Sequence, residues 1–195
     1  MAITLNQTFH VNAPVDAVWA FLLDPHQVVT CMPGAALDEV VGNDEFLGNI
    51  KVKVGPITAA YKGRVRFTKV DHEGHVIEMT AEGTEASGGT ASGTMSSRVE
   101  ASPEGGTQVH AEATAEVTGR VMQFGRGMIQ GISEQMFKQF AASVTERLEA
   151  AQGGVPIEPV EVEQRPINAI ALVLRTVWAG IVGLLRRLLR RGSDA

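Results

Sequence analysis

Alternating apolar and polar positions dominate the first two thirds of the chain. Ile3, Leu5, Phe9 and Val11 fall on one side of a run whose other side is Thr4, Asn6, Thr8 and His10, as a half-buried strand requires. At Ala13-Pro14 the period changes. Val15, Val18, Trp19 and Leu22 recur at helical spacing behind a proline suited to a first turn, and Asp24-Pro25 ends the segment. A second short helix is expected over His26 to Cys31, before the turn Met32-Pro33-Gly34. Alternation then returns in six strands, roughly 37–41, 45–54, 57–70, 75–85, 90–101 and 107–118, separated by GND, GP, DHEG, SGG and SPEGG. Connections this short and rich in turn residues imply antiparallel, sequentially paired strands. Gly119 to Ala150 reads as one long helix with Met122, Ile129, Ile132, Met136, Phe140 and Val144 along a stripe. The expected fold is α+β: a seven-stranded antiparallel sheet curved around a long C-terminal helix.

On the last three long strands, one face reads Ile77, Met79, Ala81, Gly83; then Ala91, Gly93, Met95, Ser97, Val99; then Val109, Ala111, Ala113, Ala115, Val117. The opposite face carries Glu78, Glu82, Arg98, Glu100, His110, Glu112 and Glu116, so the first is the inner one. Its side chains are small for a packed sheet, because interiors reach crystal-like density only when large groups meet across the layers. Small residues here either let a bulky helix approach closely, with Met122, Met128, Phe137 and Phe140 as plugs, or leave an apolar space for a guest. Gly125, Gly127 and Gly131 weaken the first half of the helix by about 1 kcal/mol each relative to alanine and supply no plug. The space is therefore expected to exist. Met79, Met95, Ala113, Met122, Gly125, Met128, Ile129 and Phe140 are expected to wall it, with Trp19, Met32 and Tyr61 near its mouth. Methionine suits an adaptable lining for a flexible apolar ligand.

Residues 1–150 thus form one domain. Residues 151–165 (AQGGVPIEPVEVEQR) have the Gly, Pro and Glu content of a linker, with a reach on the order of 50 Å at about 3.3–3.6 Å per residue. In 166–195 a twenty-residue apolar run is followed by RRLLRR. At 100° per residue, Ile170, Leu174, Trp178, Ile181, Leu185 and Leu188 gather on one side, opposite Arg175, Arg186 and Arg190, while Arg187 and Arg191 add to the basic end. A membrane-spanning helix would carry Arg175 near the bilayer centre at a cost of about 2.5–3.5 kcal/mol. Lying in the headgroup plane avoids that cost and suits Trp178, so an in-plane anchor on an anionic leaflet is expected, with a span or a docked partner helix as alternatives.

Charge sharpens the division. The net charge of −5 conceals six arginines and one aspartate in residues 165–195, against 21 acidic and 11 basic residues before them. An acidic body whose few bases are not interleaved with aromatics excludes a nucleic-acid groove. The 44% apolar and 20% charged content excludes a disordered or polytopic membrane chain. Cys31 is the single cysteine, which leaves no internal disulfide and fits a reducing cytosol; the N-terminus lacks the pattern of a secretory signal. Catalytic chemistry finds little footing. His10 and His110 face outward, His72 and His75 lie in a turn, and His26 sits near a helix start. No metal-ligand spacing falls on the inner face, and Cys31 has no neighbouring histidine. GRGMIQG lacks the lysine and hydroxyl of a phosphate-binding loop. No catalytic residue, metal or covalent cofactor is expected.

Four separated segments, Phe9–Pro25 (FHVNAPVDAVWAFLLDP), Cys31–Ala35 (CMPGA), Val52–Gly63 (VKVGPITAAYKG) and Thr118–Gly127 (TGRVMQFGRG), occur in the order seen in the CoxG family of carbon monoxide dehydrogenase proteins, which the first 150 residues resemble. That family belongs to the START-like, or SRPBCC, helix-grip superfamily. The resemblance implies a cytoplasmic accessory protein, peripheral on the inner face of the cell membrane, that links a molybdenum hydroxylase or related gas-oxidising dehydrogenase to the bilayer. It also implies a respiratory quinone, menaquinone-like, as cargo. The expected function is a non-catalytic quinone carrier. An adaptor that recruits the dehydrogenase without carrying a ligand is the alternative, and a cyclase or hydrolase of a hydrophobic substrate is a third.

Overall fold

The computed structural model describes residues 2–152, so the linker and basic tail expected at 151–165 and 166–195 lie, apart from the linker's first two residues, outside the described residues. The chain runs β1 (Ala2–Val11), α1 (Val15–Leu23), α2 (Pro25–Cys31), β2 (Ala35–Val41), β3 (Glu45–Val54), β4 (Ile57–Asp71), β5 (Val76–Glu85), β6 (Thr90–Ala101), β7 (Thr107–Val117), a 3-10 turn (Arg120–Phe124) and α3 (Gly125–Gln152). Pro14 holds the extended N-cap of α1, whose Val18, Trp19 and Phe21 are buried. Asp24 both stops α1 and caps α2: its Oδ1 accepts from the backbone N–H of His26 at 2.9 Å. The Gln27 side-chain amide and these backbone donors hold its carboxyl below the usual aspartate range.

Among the described residues, all seven strands lie in one antiparallel sheet, ordered β1-β7-β6-β5-β4-β3-β2. Strands β2 to β7 pair in sequence, as their short connections require. β1 instead pairs with β7, in a register running from Ala2↔Glu116 to Val11↔Thr107. Thr107 fastens this corner: fully buried, it donates from its hydroxyl to the carbonyl of Ala13 at 2.7 Å.

The curl of the sheet has a local cause. Gly48, Gly63 and Gly83 stand in one cross-strand row, paired Gly48↔Gly63 and Gly63↔Gly83. A Cβ on Gly63 would lie 2.0 Å from the carbonyl oxygen of Glu82, and one on Gly48 would lie 2.6 Å from that of Ala36. Neighbouring backbones occupy the side-chain space, as happens where a sheet bends sharply.

The long helix begins later than periodicity suggests. Gly119 and Gly125 have φ of 86° and 75°, a left-handed conformation that L side chains resist, and they bracket the 3-10 turn. Met122 therefore sits in that turn and does not extend the α3 stripe, which buries Ile129, Phe140, Val144 and Leu148.

Two separate cores result among the described residues. One joins α1, α2 and the C-terminal half of α3 to one end of the sheet through Val11, Val18, Trp19, Phe21, Cys31, Ile77, Val99, Val109, Phe140, Val144 and Leu148. The other joins the opposite end of the sheet to the start of α3 through Ile3, Val54, Ala59, Tyr61, Val121 and Ile129.

A candidate ligand site between helix and sheet

Between the two cores the inner face stays open. Leu5, Val65, Gly93, Met95, Ala113 and Ala115 are only half-buried and Ala81 is exposed, although all lie mid-strand on the face turned toward α3. None belongs to either packed cluster, and neither does Met136 of α3. The backbone of α3 approaches β1 closely and β3 at the far side, but makes no comparable approach to β5, β6 or β7. Small residues admit a close helix only where the helix is close. Ala81, Ala113 and Ala115 thus carry small side chains at inner-face positions that stay partly or fully open to solvent. Gly93 is small for a different reason, since a Cβ there would meet the carbonyl oxygen of Thr114 at 2.4 Å.

The residues expected to wall a pocket separate into four groups. Met95 and Ala113 lie in the open middle, and Met79 lies at its border, packed against the first core. Ile129 and Phe140 seal opposite ends as members of the two cores. Trp19 and Met32 belong to the first core and Tyr61 to the second, so these three do not share one mouth. Trp19 instead donates from Nε1 to Nδ1 of His72 at 3.3 Å and meets the rings of His72 and His75 edge-on. Met122 and Met128 are 36% and 47% exposed, and Gly125 is exposed beside them with nothing within 4 Å of its Cβ position. These three mark the open start of the helix; they are not an interior wall.

One functional group escapes the reading of strand faces. Glu85 ends β5 on the inner side, 8% exposed, two residues beyond Gly83. Continuing the alternation Ile77, Met79, Ala81, Gly83 by one step finds it. Its carboxylate accepts from the hydroxyl of Ser87 and from Arg120 at 3.3 Å. The Ser87 hydrogen bond first, and then Arg120, hold it below the usual glutamate range despite burial. Across the strand pair stands Tyr61. Burial, and secondarily the negative charge of Glu85, push the Tyr61 phenol up, so it remains protonated.

Two histidines have structural partners. His10 Nε2 donates to the Gly105 carbonyl at 2.7 Å, and His110 lies between Thr8 and Glu100. Cys31 is buried, and burial raises its thiol. Among the described residues no group of three His, Cys, Asp or Glu side chains is placed to hold a metal ion, and no helix is long and apolar enough to cross a membrane. Two open grooves of about 550 and 330 Å³ lie on the outer face of the sheet, along polar positions such as Thr80, Ser92, Thr94 and Thr114. The smaller one also reaches Met79, Met95 and Ala113, and both linings mix apolar with polar surface.

An antiparallel sheet curled around one C-terminal helix, with two short helices inserted after the first strand, defines the helix-grip class. Within that class, residues 8–149 match the profile of CoxG, the G subunit of carbon monoxide dehydrogenase, and the chain belongs to this family. A conserved protein from Geobacillus kaustophilus shares the fold with a TM-score of 0.69 at 19% identity, over 76% of this chain and 97% of its own. The ZhuI aromatase/cyclase from Streptomyces sp. R1128 has a TM-score of 0.56 at 17% identity, over 78% and 96%. A protein from Thermus thermophilus has a TM-score of 0.58 at 16% identity, over 76% and 99%. At these identities the likeness is one of fold. No functionally curated protein sequence matches the chain.

Proposed function

We propose that this protein is a non-catalytic carrier that takes an isoprenoid quinone of the menaquinone type from the inner leaflet of the cell membrane and presents it to a cytoplasmic gas-oxidising dehydrogenase. The observation that carries the reading is the open middle of the inner face: small and methionine side chains, half-buried, between two sealed cores. An apolar guest laid there would remove that surface from water, at roughly 25 cal/mol per Å². Met95 and Met136 would adapt to a chain of variable shape. Membership of the CoxG family supports the link to a carbon monoxide dehydrogenase type of enzyme. The basic, amphipathic sequence of 166–195 supports recruitment to an anionic leaflet.

Carriage requires no covalent step, and the site favours none. A structural neighbour is an aromatase/cyclase, but fold does not fix chemistry. Glu85 is the inward acid such chemistry would use, and Ser87 and Arg120 hold it ionised, unfit to give up a proton near neutral pH.

The test is transfer between membranes. Full-length protein is mixed with anionic vesicles containing menaquinone, separated by flotation, and extracted. Extraction of quinone by the full chain, and its loss on deletion of residues 166–195, is the expected result. Vesicle binding without any extraction would overturn carriage and leave the chain as a recruiting adaptor.

A further inference from the structure

Tyr61 is 9% exposed, and its hydroxyl is shut away from solvent without a hydrogen-bond partner, the one such buried side-chain atom among the described residues. The buried residues that share the second core with it, Ile3, Val54, Ala59, Val121 and Ile129, all have apolar side chains. Buried hydroxyls nearly always find partners, because one left unpaired forfeits its hydration with nothing in return. A phenylalanine would fill the same space without that cost, so the oxygen calls for a function. Glu85, Tyr61's cross-strand partner, does not pair with it, and its carboxylate is engaged by Ser87 and Arg120.

Resting on the carrier reading above, we infer that Tyr61 is the polar anchor of the site: its hydroxyl donates to a neutral acceptor oxygen, a carbonyl, at one end of the apolar guest. The phenol is suited to this because burial and the Glu85 charge keep it protonated. Glu85 also sets a sign rule. An ionised carboxylate beside the anchor disfavours an anionic head such as a fatty acid or phospholipid and tolerates a quinone, ketone or ester. Reaching the hydroxyl requires only that its cover shift. Val121 and Ile129, which share the second core with Tyr61, are carried on a stretch with left-handed glycines at 119 and 125 and with open space beside Gly125, Gly127 and Gly131.

The experiment compares full-length wild type with Tyr61→Phe, using menaquinone-4, a wax ester and squalene as probes; squalene is isoprenoid but has no oxygen. Wild type is expected to prefer a carbonyl probe over squalene, and which of the two it prefers identifies the source of the carbonyl. Tyr61→Phe should weaken that probe about 3- to 10-fold, the range of one net hydrogen bond, and leave squalene unchanged. The carbonyl stretch of the bound probe should lie at lower frequency in wild type than in the variant. Without ligand the variant should melt at the same temperature or higher, since it loses an unpaired buried group; this also shows that it folds. Equal affinity of both proteins for the preferred carbonyl probe would overturn the anchor, as would equal wild-type affinity for squalene and menaquinone, while carriage stands. Failure of wild type to bind any probe would overturn carriage and the anchor together.

Discussion

Cys31 and Glu85 are both buried, yet they respond to their surroundings in opposite directions, and each gives a measurable consequence. Cys31 is 2% exposed at the end of α2, and burial raises its thiol. The thiolate is the reactive form, so native protein at neutral pH should resist iodoacetamide and label at the rate at which the first core opens. Rapid labelling of the folded chain would show that this end is not sealed. Glu85 has its folded-state pKa lowered by Ser87 and Arg120, so folding favours its ionised form. Its contribution is present above the ordinary glutamate range and disappears as pH falls through the lowered folded value. In urea titrations between roughly pH 5 and pH 3, Glu85→Gln should therefore lose less stability on acidification than wild type does. An equal loss would mean that other carboxylates carry the dependence.

Small residues on the inner face have two distinct origins, and substitution separates them. Gly63 is small because the backbone of β5 fills the place of its Cβ, so Gly63→Ala should cost on the order of 1–3 kcal/mol by forcing the strands apart. Ala81 and Ala113 are small at positions partly or fully open to solvent, with no neighbouring backbone in the place of a larger side chain under the proposed carrier reading. Ala113→Leu should be neutral or stabilising in chemical denaturation, and should diminish quinone uptake, whereas a solidly packed interior would lose about 1–3 kcal/mol. Sequence alone does not separate these classes. Alternation assigns the inner face correctly, from Ile77 and Met79 through Met95 and Val99 to Val109 and Ala113, because a strand's side-chain period is fixed. It says nothing of neighbouring carbonyls, which depend on the register Gly48↔Gly63↔Gly83. The pairing of β1 with β7 is likewise illegible, since no short connection joins them. Periodicity misplaces the start of α3 because Gly119 and Gly125 change φ without interrupting the apolar spacing.

As a whole, the molecule joins an acidic body to a basic end, which the segregated sequence makes plain. Each arginine near an anionic surface contributes about 1 kcal/mol, reduced by salt. Sedimentation with anionic vesicles should thus fall as salt rises and vanish on deletion of 166–195; equal binding to neutral vesicles would point to a protein partner for this segment. The proposed site draws on sequence readings of unequal strength. Met95 and Ala113 follow from strand parity, whereas Trp19, Met32 and Tyr61 share only a large side chain near a turn or strand, and they lie in different cores. The most direct measurement is native mass spectrometry of the full-length protein after exposure to menaquinone-containing vesicles. A carrier with room between its two cores should show one apolar guest per chain, recovered as quinone on extraction. A chain that stays empty under these conditions, with Ala113→Leu destabilising it, would contradict the account.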